Sequence, residues 1–233
     1  MKIRKKFNPY FVSASFLFIV IIGWIMLFFE KGEFELLVNQ HHNPFLNTFF
    51  YYTTSLGNGL FFILVLFILG FYKLFWTLSG LLSFLCISII VQGIKFFFSE
   101  MPRPRRFFDL QGEEIQFVEG VVMHSYQTFP SGHTATVFSL FLLLSLLSRK
   151  VIWGVVCIFF AAAAGFSRVY LMQHFMIDVF FGAIIGLIVT FVVIKFCMNY
   201  PKIRESRFSK NTWQQLFTKE KPAGANVDSG NSE

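Results

Sequence analysis

His174 and Asp178 stand four residues apart, which puts both side chains on one face at the start of a helix. An imidazole backed by a carboxylate has its tautomer and orientation fixed and its cation stabilised, which equips it as a nucleophile or a base. Upstream, Pro130-Ser131-Gly132-His133 supplies a hydroxyl, a glycine backbone and a second imidazole where a long apolar segment begins. A helix start there offers unpaired N–H groups and the positive end of the dipole to an anion. The same residues also fit a turn with Ser131 as N-cap. Lys95, Arg103 and Arg168 add an ammonium and two guanidiniums. Snorkelling to an interface accounts for Lys95 or Arg168 taken singly. Gathered around two imidazoles and a helix start, the set fits the three equatorial oxygens of a phosphoryl group in transfer.

The elements that must position these residues lie in a greasy chain. Of 233 residues, 55% are hydrophobic, 20% are aromatic and 14% are charged. A soluble domain carries about 25% charged residues, so a single soluble core fits poorly. The 35 Phe are spread through long uncharged runs, the pattern of a polytopic membrane protein. The net charge of +7 sits mainly in short connections and at the two ends. That distribution orients a membrane protein and argues against a nucleic-acid partner. Cys86, Cys157 and Cys197 lie far apart inside apolar runs, with no disulfide or metal spacing.

The reading that follows is an all-α membrane protein with six transmembrane helices, near residues 10–29, 59–72, 75–98, 132–147, 151–170 and 175–198. Interfacial helices are expected in the aromatic stretch 30–58, between the first and second spans. His41 and His42 there are adjacent and do not share a helix face, so a solvated loop is expected and no metal site. Residues 1–9 form a basic N-terminal tail. Residues 199–233 form a second tail, basic at first and disordered toward its end. Six spans put both tails on one side, together with Lys73, Arg149-Lys150 and the Lys202, Arg204, Arg207, Lys210 cluster. By the positive-inside rule that side is the cytoplasm. Lys95, Arg103 and Arg168 then fall at the outer side, where the rule predicts few cations. An ionisable residue at membrane depth is a functional candidate.

These blocks resemble the signature of the type 2 phosphatidic acid phosphatase superfamily, which includes membrane lipid phosphatases and vanadium haloperoxidases. Pro130-Ser131-Gly132-His133 matches its second block. Ser167-Arg168, five residues, His174, three residues and Asp178 match its third. The first block departs. Seven residues separate Lys95 from Arg103-Pro104, where the family has six. One added residue in a continuous helix turns Lys95 by about 100°, off the site. Pro102 and Ser99-Glu100 favour a bulge or loop that absorbs it.

The resemblance implies a two-step reaction in residues 10–198. His174 attacks phosphorus, Asp178 orients it, and His133 protonates the leaving oxygen and then activates water. Lys95, Arg103, Ser131, Gly132 and Arg168 hold the phosphoryl oxygens. No metal or other cofactor is implied, and the acidic residues of 109–119 have no ligand spacing and read as a solvated loop. The implied substrate is a phosphorylated lipid of the bilayer: undecaprenyl pyrophosphate, phosphatidylglycerol phosphate or a lipid A phosphate. No obligatory protein partner is evident. The implied location is a bacterial cytoplasmic membrane, with the site on its outer face. Transfer of phosphate to another lipid uses the same phosphoenzyme. A transporter or scaffold that only binds anionic lipid has no need of His174 backed by Asp178. His124, Tyr126, Arg105 and Arg106 are candidates for a headgroup or second phosphate, or a plain surface loop.

Overall fold

The structure is a computed structural model that describes residues 7–204, 206 and 211–217. The basic residues Lys2, Arg4, Lys5 and Lys6, the tail residues Arg207 and Lys210, and the end of the tail from 218 onward lie outside the described residues. The helices are α1 (Pro9–Phe28), α2 (Glu33–Gln40), α3 (Pro44–Thr53), α4 (Gly59–Tyr72), α5 (Leu74–Phe97) and α6 (Pro104–Gln111). They continue with α7 (Gly132–Ser145), α8 (Val151–Tyr170), α9 (Met176–Asn199), α10 (Pro201–Arg204) and α11 (Trp213–Phe217). A short 3-10 turn, Thr54–Gly57, joins α3 to α4.

The centre is α7, in which every residue from Thr134 to Leu143 is buried. It packs against α5, α8 and α9. Gly186 of α9 makes close approach possible, because a Cβ there would lie 2.3 Å from the Ala135 carbonyl oxygen. Small residues let membrane helices meet backbone to backbone. Along the same seam, Thr190 donates a hydrogen bond to Ser139, 2.6 Å, between hydroxyls excluded from solvent. Phe138, Phe11 and Ala161 fill the side toward α1 and α8.

The helices run between two ends. At one end Asn8 caps α1 and donates to the carbonyls of Ser148 (2.8 Å) and Lys150 (3.3 Å) in the α7–α8 connection. The α4–α5 turn at Lys73 and the last turns of α7 and α9 share an apolar cluster there. At the other end lie the last turns of α5 and α8, the starts of α7 and α9, and the 3-10 turn.

The protein is all-helical and multi-pass. Among the described residues, α1, α5, α8 and α9 are each long and apolar enough to cross a membrane. The segments Pro44–Gly57 and Gly59–Tyr72, bent by 60°, make a fifth if counted as one span. Length does not show the expected six, because α4 and α7 have 14 residues each. At 1.5 Å per residue each covers about 21 Å of a hydrocarbon layer about 30 Å thick. Residues 30–58, expected to be interfacial, form α2, α3 and the 3-10 turn, and α3 with that turn belongs to the bent pair with α4.

Two local readings differ, at residues 104–111 and at His42. Residues 104–111 of the polar connection are a helix. Pro104 starts α6, and buried Phe108 anchors it. His42 is half-buried. Its ring stacks on Tyr170 at 4.3 Å, with Nε2 2.9 Å from the Tyr170 carbonyl oxygen. The tail contains α10 and α11, and Trp213 donates to the Phe67 carbonyl at 3.0 Å. Helix propensity and an indole contact to α4 were not legible in a basic tail.

Gly93, whose added Cβ would meet nothing within 4 Å, gives a control for the α7–α9 seam. Gly186→Ala is expected to lower the melting temperature in detergent, by the equivalent of about 1–3 kcal/mol of overpacking. Gly93→Ala is expected to leave it unchanged or raise it, since alanine favours a helix by about 1 kcal/mol.

Candidate active site

The first turn of α9 organises the site. Asp178 Oδ2 accepts from the Phe175 N–H at 2.9 Å, which caps the helix. The same oxygen accepts a hydrogen bond from the Thr128 hydroxyl. It lies 3.1 Å from His174 Nδ1. A carboxylate facing Nδ1 keeps the proton there, so Nε2 presents the lone pair. Nε2 makes no hydrogen bond among the described residues, and the ring lines the cavity described below. The His174 backbone is also fixed. The N–H groups of Gln173 (2.9 Å) and His174 (3.1 Å) both donate to the Arg168 carbonyl, wrapping the connection around the end of α8.

The segment just before α7 holds the cations by its carbonyl groups. Lys95 Nζ donates to the Gln127 carbonyl at 2.8 Å. Arg103 donates through Nε to Tyr126 O (2.9 Å), and its two terminal nitrogens donate to Gln173 O (3.3 Å) and Gln127 O (3.4 Å). Arg168 donates to Thr54 Oγ1 at 2.6 Å, while its Nε is buried without a partner. The three side chains are 5–9% exposed. None forms an ion pair with a carboxylate among the described residues; Asp109 is paired with Arg106, and Asp178 is hydrogen-bonded to His174.

Lys95, Arg103, Gly132, His133, Arg168 and His174 converge on a cavity of about 270 Å³, with His124 exposed at its mouth. The extra residue of the first block does not displace Lys95. Helix α5 ends at Phe97 and residues 98–103 are not helical, so the insertion sits beyond the lysine. Gly57 of the 3-10 turn closes one wall, where a Cβ would lie 2.9 Å from the His133 carbonyl oxygen.

Two expected residues stand behind the cavity wall. Asp178 backs His174. Ser131 is fully buried; its Oγ accepts from Thr134 N (3.3 Å) and Thr134 Oγ1 (2.8 Å), and its N–H donates to the Asp178 carbonyl (3.0 Å). Ser131 therefore fills the N-cap place and ties the start of α7 to the start of α9. Arg105 and Arg106 are off the cavity. Arg105 lies 5.7 Å from the Phe117 ring, and Arg106 pairs with Asp109 at 2.9 Å.

Burial, followed by the nearby Arg103, Arg168 and Lys95, holds the His174 ring well below the ordinary histidine range. A neutral imidazole is the form that can attack an electrophile.

Sequence reasoning missed three supports. Thr128 has no signal beyond lying two residues before Pro130. Thr54, partner of Arg168, is 114 residues away in sequence. Glu35 of α2 is buried and accepts from Met176 N–H, 2.7 Å, at the first residue of α9, and from Gly32 N–H, 3.1 Å. Burial raises its carboxyl above the usual range. A glutamate in an aromatic stretch carries no mark of a partner 141 positions away.

Fold and site together define a multi-pass helical membrane protein with a buried cationic cavity facing a carboxylate-backed histidine. Residues 74–201, more than half of the chain, match the PAP2 superfamily. The chain belongs to that superfamily, the family its three sequence blocks anticipated. The dihydrosphingosine 1-phosphate phosphatase YSR3 of Saccharomyces cerevisiae is 28% identical over 198 residues, covering 78% of this chain. The match covers 45% of the yeast protein, so this chain spans about half the length of that relative. Among solved structures, LpxE of Aquifex aeolicus superposes with a TM-score of 0.62 at 28% identity, over 71% of this chain and 94% of that one. The transmembrane PAP2-type phosphatidylglycerolphosphate phosphatase of Bacillus subtilis gives 0.58 at 24% identity, over 80% and 96%, and shares the fold.

Thr128→Val removes a donor to the Asp178 carboxylate while keeping the shape. It is expected to lower kcat at least tenfold, about 1.4 kcal/mol, with little change in KM. Thr128→Ser, which keeps the hydroxyl, is expected to recover most of the loss in steady-state assays.

Proposed function

We propose that this protein is a metal-independent lipid phosphate phosphatase working through a phosphohistidine. The observation that carries the reading is the convergence of Lys95, Arg103 and Arg168, none ion-paired to a carboxylate among the described residues, on a cavity lined by His174. In the first step His174 Nε2 attacks phosphorus and the bond to the lipid oxygen breaks. His133 donates the proton that lets this oxygen leave as a hydroxyl, or as a monophosphate if the substrate is a pyrophosphate. In the second step water attacks the phosphohistidine and gives its proton to His133. The P–N electron pair returns to His174, and inorganic phosphate leaves. The cations and the Gly132 N–H hold the equatorial oxygens throughout. Asp178, held by Thr128 and Phe175 N–H, keeps His174 in the attacking tautomer. Ser131 supports this indirectly, by joining the starts of α7 and α9.

The same reading takes α1, α4, α5, α7, α8 and α9 as six crossings. Each runs between the two ends of the bundle, and α7 can be short because its neighbours shield it from lipid. Lys73, Arg149, Lys150, Lys202 and Arg204 at the end opposite the cavity support a cytoplasmic placement of that end. The cavity then opens at the outer face, at a depth reached by a phosphate whose lipid tail stays in the bilayer. Undecaprenyl pyrophosphate, phosphatidylglycerol phosphate and lipid A phosphates are the candidate substrates.

Two measurements check this reading. Phosphate release from a lipid phosphate panel in detergent is expected to be unaffected by chelator and reduced at least a thousandfold by His174→Ala. Loss of activity with chelator, or release by His174→Ala at the wild-type rate, contradicts it. Because its environment lowers the pKa of His174, the neutral ring persists to lower pH than an ordinary histidine. In the substrate-free protein, selective ¹⁵N labelling is expected to show a neutral His174 at pH 6.5, the ordinary midpoint. A half-protonated ring there contradicts the assignment.

A further inference from the structure

One stripe of α5 runs down the cavity wall away from Lys95: Val91 and Gln92, then Ile87 and Ser88, then Phe84. Two of these side chains are polar. The Gln92 amide is exposed and the Ser88 hydroxyl is half-exposed, within a helix long and apolar enough to span a membrane. Neither makes a side-chain hydrogen bond among the described residues, whereas Ser83 on the same helix returns its hydroxyl to the Ser79 carbonyl at 2.8 Å. On the facing wall Thr136, one helical turn beyond His133, also lines the cavity without a side-chain hydrogen bond. An amide or hydroxyl at membrane depth without a protein partner is costly, and a cavity occupant with hydrogen-bonding groups can supply the partner.

Their depth says which part of an occupant they meet. Along α5, Gln92 lies roughly 4.5 Å and Ser88 roughly 10.5 Å below Lys95. Thr136 lies roughly 4.5 Å along α7 below His133, the proton donor to the leaving oxygen. With the phosphoryl group among the cations, Gln92 and Thr136 flank the first few atoms beyond the scissile oxygen, and Ser88 lies just deeper. An unsubstituted alkyl or isoprenoid chain offers them nothing.

We propose that Gln92, Thr136 and Ser88 form a specificity subsite for a hydrogen-bonding backbone next to the phosphate. The preferred substrates are lipid phosphates whose first carbons carry a hydroxyl or amide, over those with a plain hydrocarbon chain at that position. The proposal rests on the phosphatase reading for the placement of the phosphoryl group. A site built to hydrogen-bond a substrate group discriminates strongly against an analogue that lacks it, because its own polar groups are then left unpaired.

The test uses the full chain in detergent micelles. Binding is measured for an alkylphosphonate and for its equal-length counterpart with a hydroxyl on the second carbon. The C–P bond is not hydrolysed, so this arm reads the subsite without turnover. Wild type is expected to bind the hydroxylated compound at least tenfold more tightly. In Gln92→Leu, and separately in Thr136→Val, the ratio is expected to fall to within about threefold of parity. Both variants keep size and suit an apolar helix, and their melting curves report folding. Equal binding of the two phosphonates by wild type, or an undiminished ratio in both variants, overturns the subsite. The matching pair of phosphate esters is assayed in parallel. A phosphonate preference with no ester hydrolysis supports the subsite and sinks the phosphatase reading. Ester hydrolysis with no preference in either arm does the reverse.

Discussion

Lys95, Arg103 and Arg168 share one buried cavity, and the rest of the structure is arranged around that concentration of charge. Desolvating an ion costs several kcal/mol, whereas a neutral hydrogen bond returns about 1 kcal/mol. The carbonyls of Tyr126, Gln127 and Gln173 hold the cations in place but do not neutralise them. Asp178 is the nearest buried carboxylate, and it is committed to Thr128, Phe175 N–H and His174. An anion with several oxygens would settle this imbalance, and Arg168 Nε–H has no hydrogen-bond partner among the described residues. Burial first, and then the same charge, hold the His174 ring below the ordinary histidine range, which favours its neutral form.

That arrangement demands rigid supports, and the fold supplies them at helix ends. The α7–α9 seam brings the N-terminus of one helix against the first turn of the other. Ser131 N–H then reaches the Asp178 carbonyl, and the Asp178 side chain reaches back to Thr128. On the far side, Glu35 of α2 accepts from the first N–H of α9. The 3-10 turn between α3 and α4 contributes Thr54 to Arg168 and Gly57 to the wall. Residues 30–58 are thus part of the site's frame as well as the connection between α1 and α4.

How legible this was depended on the kind of interaction. The cations, His133 and the His174–Asp178 pair could be read from residue type and spacing, because ionisable groups are conspicuous in an apolar chain. Their convergence followed from helix ends falling at one end of the bundle. Lys95 turned on a local detail, whether the added residue lay inside α5 or after it, and the helix stops at Phe97. Ser131 carried two readings in sequence, and the structure adopts the capping one. Thr54, Thr128 and Glu35 were silent because a hydroxyl or a single glutamate acquires meaning only from a partner that tertiary packing brings to it. The number of spans was ambiguous for a related reason. A helix buried among others, as α7 is, need not match the bilayer's thickness, so length alone is a poor count of crossings.

In the proposed reaction His174 becomes covalently attached to phosphorus. Rapid quenching of the full chain with a lipid phosphate labelled in its terminal phosphoryl group, followed by peptide mapping, tests it directly. The account predicts an acid-labile, base-stable label on the peptide containing His174, which forms within one turnover and decays at a rate that supports kcat. Label on another residue, or turnover with single-turnover sampling that never detects a phosphoenzyme, would contradict it.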